Sequence, residues 1–240
     1  MLYRKKNKSL DPNFLNEYVL FESLTSQTKQ RFELKLVDIY PCLEDKTSIT
    51  SFDAHYIYHT AWAARIIKKI NPTKHFDISS FLYFSTILSA FVPVSFFDFR
   101  PANIKLPDLE MGKEDICNLS FEKNSISCLS CMHVIEHIGL GRYGDKLDYD
   151  GDLYAIRELK RVIKSGGNLL IAVPVGQPKI RFNAHRIYSY DQIISYFEEL
   201  KLKEFTLIPD NANETGMIIN AEKNLADAQD YGCGCFWFQK

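Results

Sequence analysis

The stretch DGDLYAIRELKRVIKSGGNLLIAVPV (150–175) decides the fold class. Its first part, 150–164, spaces apolar residues as one face of a helix does: Leu153, Ile156, Leu159, Val162 and Ile163. Ser165-Gly166-Gly167 is predicted to end that helix, because glycine tolerates a positive φ. The run NLLIAVPV (168–175) is almost wholly apolar, as a parallel strand covered on both faces should be. The stretch therefore predicts a helix that feeds a buried strand.

The same alternation extends in both directions along the chain. We predict helices at 54–70, 81–91, 150–164 and 189–200. We predict strands at 75–79, 94–99, 113–117, 126–134 and 168–175, and final, antiparallel strands at 203–208 and 235–239. Alternating strands and helices indicate an α/β, Rossmann-like fold, a mostly parallel sheet with helices on both faces. In such sheets ligands bind at the carboxyl ends of the strands.

Composition excludes several classes of protein. The chain has 240 residues, 46% of them hydrophobic, and a net charge of −1. That balance disfavours a nucleic-acid or membrane-surface partner, which would require a basic excess. No apolar run approaches the roughly 20 residues of a membrane span. The start, MLYRKKNKSLDPNF, lacks the apolar core of a signal peptide, so we expect a cytoplasmic protein.

Residues 1–52 show no sharp periodicity. We predict a helical extension there, followed by one α/β domain at 53–240. The extension would either cap the active site or build a homodimer.

The six cysteines predict a reduced chain rather than a disulfide or metal framework. Cys128 and Cys131 form a CxxC, but the motif lies in a predicted strand, whose period of two would point the pair to opposite faces. Cys233 and Cys235 are likewise interpreted as small core residues.

The segment CMHVIEHIGLGRYGD (131–145) concentrates polar side chains at a strand end. HVIEH (133–137) matches the HxxEH of inverted zinc proteases, but that motif requires a long helix, whereas Gly139 and Gly141 follow here. We favour a strand-end turn in which Glu136 and the histidines face a cleft or bond to the backbone. We expect no resident metal, with a hard cation on Asp145, Asp148 or Asp150 as the open alternative.

Asp98 closes the second predicted strand, VSFFDF, and lies 21 residues after Asp77. A carboxylate at that place suits the two hydroxyls of a ribose. The turn Asp77-Ile78-Ser79-Ser80-Phe81 contains no glycine, which disfavours NAD or FAD.

Together these segments resemble a class I S-adenosylmethionine-dependent methyltransferase, within a group catalogued as having unknown function. The resemblance spans about 53–240 and rests on FDIS, SFFDF, DICNLSF, SCMHVIEHIGLGRYGD, AIRELKRVIKSGGNLLIAVPVG and FNAHRIYSYDQI. It implies S-adenosylmethionine as cofactor, and methyl transfer to a small polar acceptor such as a sugar or glycan-precursor hydroxyl.

The resemblance also implies roles for individual residues. The cofactor's methionine part would meet Asp77, Ser79 and Ser80, its ribose Asp98, its adenine Asp115 and Ile116, and its sulfonium Met132 and His133. The acceptor would meet Arg142, Tyr143, Asp145 and Arg186, with His137, His133, His185 and Glu136 as the catalytic candidates.

One departure from the family pattern supports a rival function. Ser79 and Phe81 occupy positions where the family carries glycine, and a Cβ at a turn with positive φ costs about 1 kcal/mol. Phe81 and Ser79 would also crowd the cofactor's carboxypropyl tail. The alternative is therefore a non-catalytic, methyltransferase-shaped binding or scaffold protein with a degenerate cofactor loop.

Overall fold

The structure, a computed structural model, describes residues 11–25 and 31–240. It divides into two compact units, Met1–Ser51 and Phe52–Lys240. The first unit contains helix α1 (Pro12–Thr25) and a 3₁₀ turn at Leu36–Asp38. The parts of the predicted extension at 1–10 and 26–30 lie outside the described residues, and its role stays a prediction.

The second unit carries the remaining elements. Its helices are α2 (Ala54–Ile70), α3 (Leu82–Leu88), α4 (Gly151–Val162), α5 (Tyr190–Tyr196), α6 (Ala212–Thr215) and α7 (Lys223–Asp227). Its strands are β1 (His75–Ile78), β2 (Val94–Asp98), β3 (Leu109–Lys113), β4 (Ile126–Met132), β5 (Ile163–Val175), β6 (Lys179–Arg181), β7 (His185–Ile187), β8 (Lys201–Ile208), β9 (Ile218–Ile219) and β10 (Gly232–Gln239). None of the helices in the described residues is long and apolar enough to cross a bilayer.

Eight strands form one sheet in the order β3-β2-β1-β4-β5-β10-β8-β9, and β6 pairs with β7 separately. The strands from β3 to β5 are mutually parallel, whereas β10 runs antiparallel to both β5 and β8. The predicted mostly parallel sheet with an antiparallel final strand is therefore confirmed.

Two apolar cores cover the two faces of this sheet. On one face α4 and α5 pack through residues such as Leu159 and Ile193. On the other face α2 and α3 pack through Trp62 and Phe84. The cysteines of β4 divide between them, with Cys131 in the first core and Cys128 in the second. The predicted opposite orientation of the CxxC pair is confirmed, so the two thiols share no ligand.

Two of the differences from the prediction have a clear physical cause. The third strand lies at Leu109–Lys113 rather than 113–117. It is a half-exposed edge strand without an apolar run, and the residues after it form a turn in which the Cys117 N–H donates to Asp115 Oδ1 at 2.9 Å.

The glycines of Ser165-Gly166-Gly167 do not end α4, which stops at Val162. They lie inside β5, where the Gly166 N–H donates to the Lys240 carbonyl at 2.7 Å and φ is +74°. A Cβ on Gly167 would come within 3.0 Å of the Ile126 carbonyl oxygen. The glycines thus allow β4, β5 and the chain end to approach closely.

A buried polar chain links β1 to β4 beneath the sheet's carboxyl edge. His75 Nε2 lies 2.8 Å from Ser130 Oγ, and that hydroxyl donates to Asp77 Oδ2 at 2.6 Å. All three residues are fully buried. Burial lowers the pKa of His75 to about 3 and raises the pKa of Asp77 to about 6, although bonds from Ser130 and Ser80 oppose the second shift.

These shifts predict how stability depends on pH. Below about 6.5 the unfolded chain protonates His75 and the folded chain does not, so this residue costs stability as pH falls toward 3. Asp77 acts oppositely between about 6 and 4, because there the folded state binds the extra proton. We expect His75→Gln to reduce the loss of unfolding free energy between pH 7 and pH 5 by roughly 2 kcal/mol, measured by urea unfolding. Equal losses in variant and wild type would contradict this.

Candidate active site

Two adjoining cavities open where the parallel strands end. The first has a volume of about 480 Å³ and the second about 570 Å³. Both volumes suit small-molecule ligands. The walls of the two cavities share His133, His137 and Tyr143. A group bound in one cavity therefore lies next to a group bound in the other.

Five of the predicted cofactor residues line the first cavity: Ser79, Asp98, Asp115, Ile116 and His133. They come from the ends of β1, β2, β3 and β4, since parallel strands bring their carboxyl ends to one edge. Asp98 Oδ1 accepts the Arg100 N–H at 2.7 Å, which fixes the carboxylate at the strand end.

The other three predicted cofactor residues lie beneath the cavity wall. Asp77 is fully buried and accepts the Ser80 N–H at 3.0 Å. Ser80 Oγ in turn accepts the Met132 N–H at 3.0 Å, and the Met132 side chain belongs to the core beside α2. Their hydrogen bonds hold the loop after β1 against β4, so the structure gives them a supporting position.

The loop after β1 forms a left-handed turn without glycine. Ser79 has a φ of +56°, in the left-handed region, and its N–H donates to the Phe97 carbonyl at 2.8 Å. The ring of Phe81 packs edge-on against Tyr56 and Tyr83, and Phe81 does not line either cavity. Of the two residues that stand where the resembled family carries glycine, Ser79 and Phe81, only Ser79 therefore narrows the first cavity.

The lining of the first cavity is acidic and partly aromatic. Its carboxylates are Asp98, Glu114, Asp115, Asp145 and Asp148, against the cations Arg100 and Lys146. Its rings include Phe99, Tyr143 and Tyr154. The wall thus favours a ligand with positive charge and a flat apolar part.

The second cavity contains a cluster built on the turn after β4. His133 leaves the strand with a φ of +56°, and a 3₁₀ turn at Ile135–His137 follows. Glu136 is fully buried, and its Oε1 lies 2.9 Å from His133 Nδ1 and 3.7 Å from His137 Nε2. Because the motif is a strand end and a short turn, the long helix of a zinc protease is missing here.

Several buried polar atoms of this cluster lack a partner. Within the described residues, the buried side-chain atoms without a hydrogen bond are His59 Nε2, Ser85 Oγ, His133 Nε2, Glu136 Oε2 and His185 Nε2. Three of these atoms belong to residues that line the second cavity. Buried polar atoms are normally paired, so this concentration indicates a ligand-binding surface.

Burial and neighbouring charges set the protonation states. Burial and then the charge of His133 lower the pKa of His55 to about 4, and burial also lowers the pKa values of His59 and His185. Burial would raise the pKa of Glu136, but the hydrogen bond and charge of His133 hold it below its usual range. Burial likewise works against the charge of His133, and we attribute its net upward pKa shift to Glu136, since burial keeps the thiol of Cys233 protonated.

Three more predicted side chains line the second cavity: His137, Arg142 and His185. Two of them contact the same backbone carbonyl. His137 Nδ1 lies 2.6 Å from the Ala184 carbonyl oxygen, and Arg142 Nη1 donates to the same oxygen at 3.1 Å. His185 lines the second cavity, with its ring 4.7 Å from that of Tyr231.

Asp145 shapes the glycine-containing loop. Its Oδ2 accepts the Gly139 and Gly141 N–H groups at 2.7 and 3.2 Å, and its Oδ1 accepts the Tyr143 N–H at 3.2 Å. These bonds outweigh burial and lower the pKa of the carboxyl group. Gly139 is required there, because a Cβ would lie 2.1 Å from the Asp148 carbonyl oxygen. In this structure the Asp145 carboxylate closes the loop on the wall of the first cavity, and its acceptor role stays a prediction.

Arg186 lies outside both cavities. It is buried, its guanidinium donates to the Ile138 and Tyr149 carbonyls at 2.6 and 2.8 Å, and its Nε lies 3.5 Å from Asp152. These contacts occupy the guanidinium with protein partners, so Arg186 supports the loop in this structure, and its acceptor role stays a prediction.

The sequence did not reveal His55, Tyr56, Tyr231 and Asp210, which also line the second cavity. His55 and Tyr56 lie in the first turn of α2, and Tyr231 immediately precedes β10. Because β10 is antiparallel, its beginning lies at the carboxyl edge of the parallel strands. That placement depends on tertiary structure, although the dense HYIYH at 55–59 was an available signal.

Solved structures show which known fold this is. The YcgJ protein of Bacillus subtilis matches with a TM-score of 0.51 and 14% identity over 75% of this chain and 98% of that one. The N-methyltransferase NodS of Bradyrhizobium japonicum, in complex with S-adenosylhomocysteine, matches with a TM-score of 0.52 and 12% identity over 75% and 85%. The [4+2]-cyclase SpnF matches with a TM-score of 0.53 and 11% identity over 75% and 81%.

The chain has the Rossmann-like methyltransferase fold. At these identities the likeness establishes the fold alone. In sequence, residues 114–206 match the family described as Caenorhabditis protein of unknown function, DUF268. That segment contains the cluster at 133–137 and the loop at 139–145. No curated protein sequence matches the chain.

The position of Arg186 generates a prediction. We expect Arg186→Lys to lower the free energy of unfolding by roughly 2–4 kcal/mol. The ammonium group of lysine cannot replace the several N–H donors of the planar guanidinium, so buried carbonyl oxygens would be left unpaired. Urea unfolding would measure this, with Arg181→Lys as control. Arg181 forms an ion pair with Asp230 on the surface, and weakening that pair should change stability little. Unchanged stability of Arg186→Lys with weakened ligand binding would return Arg186 to the predicted acceptor role.

Proposed function

We propose that the protein transfers the methyl group of S-adenosylmethionine to a hydroxyl of a small polar acceptor such as a sugar or glycan precursor. The observation that carries the proposal is the pair of cavities at the carboxyl edge of a methyltransferase fold. The first would hold the cofactor and the second the acceptor. Their shared wall of His133, His137 and Tyr143 would mark the place of transfer.

The first cavity fits the cofactor in charge and shape. S-adenosylmethionine carries a sulfonium and an ammonium group, which suit a wall with five carboxylates and two cations. Asp98 offers two oxygens to the ribose hydroxyls at the end of β2. Asp115 and Ile116 lie on the same wall and suit the polar edge and the face of adenine.

The chemistry requires little more than placement. When bound, S-adenosylmethionine supplies an electrophilic methyl group, and transfer requires the acceptor oxygen to lie in line with it. A hydroxyl also needs a base within hydrogen-bond reach. His137 can serve as that base. Because its Nδ1 donates to the Ala184 carbonyl, the neutral ring leaves a lone pair on Nε2 beside the second cavity.

The second cavity favours an acceptor rich in hydroxyl groups. Glu136 Oε2 and His185 Nε2 are unpartnered atoms that can accept O–H donors. Arg142 adds one fixed cation, which suits an anionic group on the same molecule. A polyhydroxylated, anionic acceptor would pair both kinds of group. The size of the cavity and the net charge of −1 support a small molecule over a nucleic acid.

The non-catalytic alternative rested on the missing glycines. Ser79 adopts the left-handed conformation that glycine would provide, and Phe81 leaves the cavity wall free. These two observations support a working cofactor site over a degenerate one.

The carboxylate of Asp98 provides the test of this function. We expect S-adenosylmethionine to bind the purified protein with micromolar affinity, and Asp98→Ala to weaken binding about 10- to 100-fold through loss of two charge-assisted hydrogen bonds. Calorimetry would measure both, with Asp191→Ala as control, since Asp191 pairs with Lys223 on the surface. Absence of binding at millimolar ligand, or equal binding by Asp98→Ala, would refute the cofactor site.

Ser79 yields a second prediction about the same cavity. Ser79→Gly relieves the steric strain of a positive φ and removes a Cβ from the cavity wall, so we expect tighter cofactor binding and an unfolding free energy about 1 kcal/mol higher. Ser79→Ala is the matched control, because it removes the hydroxyl but keeps the Cβ and the strain. If Ser79→Ala and Ser79→Gly behave alike, the hydroxyl rather than the backbone governs the loop.

A further inference from the structure

We propose that His55, His133 and Cys233 form a binding site for one Zn²⁺ ion in the wall of the second cavity. One ring nitrogen of each histidine and the sulfur of Cys233 lie within 4.8 Å of one another. Tetrahedral zinc with nitrogen and sulfur ligands places neighbouring ligand atoms roughly 3.5 Å apart, so shifts of about 1 Å close the site. The sequence did not reveal this set, because its members come from α2, the end of β4 and β10. From the sequence we had expected no resident metal, with aspartate ligands as the alternative.

The orientation of His133 supports the site independently. Its Nδ1 bonds to Glu136 Oε1 at 2.9 Å, and its Nε2 is buried without a hydrogen-bond partner. A histidine that ligates a metal usually donates its other ring N–H to a carboxylate, which fixes the ring and raises its basicity. Zn²⁺ would displace the Nε2 proton of His133, and the buried carboxylate then orients the freed lone pair toward the site.

His55 repeats this arrangement. It hydrogen-bonds to the backbone of Tyr231 and stacks on the Tyr231 ring at 4.9 Å between centroids. Its ring is also stacked at 5.3 Å on that of His133. A backbone carbonyl is the second common partner of a metal-bound histidine. His59, whose Nε2 is buried and unpartnered, lies edge-on to His133 at 5.1 Å.

The donor set selects the ion. Imidazole and thiolate suit zinc, whereas hard cations such as Mg²⁺ and Ca²⁺ prefer oxygen ligands. Binding would displace the thiol proton of Cys233. Three protein ligands leave a fourth position, as catalytic zinc sites do, and His55 and His133 both line the second cavity, into which it would open. There the ion would bind an acceptor oxygen and favour its deprotonation. This last role rests on the proposed function, whereas the site itself does not.

The test uses the full-length protein after dialysis against a chelator. We expect calorimetry to show one Zn²⁺ bound per chain. We expect Co²⁺, as a spectroscopic probe, to give a tetrahedral spectrum with a thiolate-to-metal charge-transfer band. Cys233→Ala should abolish that band and weaken zinc binding at least 100-fold. Cys131→Ala is the matched control, because Cys131 is equally buried but faces the opposite core.

Two more variants keep the test decisive if Cys233→Ala folds poorly by circular dichroism. His55→Gln changes a part-exposed ligand at the helix start, and Glu136→Gln changes a residue that supports His133 but is not itself a proposed ligand. We expect each to weaken zinc binding, the second by about 10- to 100-fold. Absence of zinc binding by the folded wild type, or a cobalt spectrum without the thiolate band, would overturn the site. Because S-adenosylmethionine is absent from these titrations, failure of the proposed methyl transfer would leave their outcome unchanged.

Discussion

The hydrogen bond between His133 Nδ1 and Glu136 Oε1 is the contact on which both cavities depend. A fully buried carboxylate is costly unless it is paired. Here the pairing histidine is also the residue at which β4 ends and the backbone turns into the left-handed region. The pair therefore fixes the course of the chain from the strand into the turn at Ile135–His137. It also places His137 between the two cavities and leaves one nitrogen of His133 available.

Around that pair the protein maintains an unusual concentration of imidazole rings. Five of its six histidines, all except His75, lie in or beside the second cavity. Histidines that only fill a core find partners for both nitrogens, as His75 does with Cys128 and Ser130. Among the histidines in or beside the second cavity, His59, His133 and His185 instead each leave Nε2 buried and unpaired, which costs stability in the free protein. A ligand that pairs these atoms would recover that cost, and this is the physical reason to assign chemistry here rather than a packing role.

Sequence periodicity predicted the parallel strands well, because strands covered on both faces carry continuous apolar runs. It misplaced β3, an edge strand with Glu110 and Lys113 in place of such a run. It also assigned Gly166 and Gly167 to a helix end, since a close approach of three chain segments leaves no local signal. For the site, the strand-end rule identified Asp98, Asp115, His133 and His137 on the cavity walls. The rule could not tell these cavity-lining residues from Met132 and Arg186. The side chains of Met132 and Arg186 point into the protein, whereas their sequence neighbours His133 and His185 face the cavities. His55 and Cys233 were missed because an antiparallel strand and a preceding helix bring them to the edge from elsewhere in the chain.

The fold leaves the reaction open, because structures of equal similarity include both an N-methyltransferase and a [4+2]-cyclase. What distinguishes one protein of this fold from another must therefore lie in the side chains of its cavities rather than in the sheet. In this chain that place contains a buried carboxylate, several unpaired imidazole nitrogens and a thiol within ligand distance of two of the rings. A scaffold without chemistry would have no need of these groups, since apolar side chains of similar volume would fill the space at lower cost. The second cavity therefore carries the functional information in this structure, and its ligand should be sought by its capacity to donate hydrogen bonds to that wall.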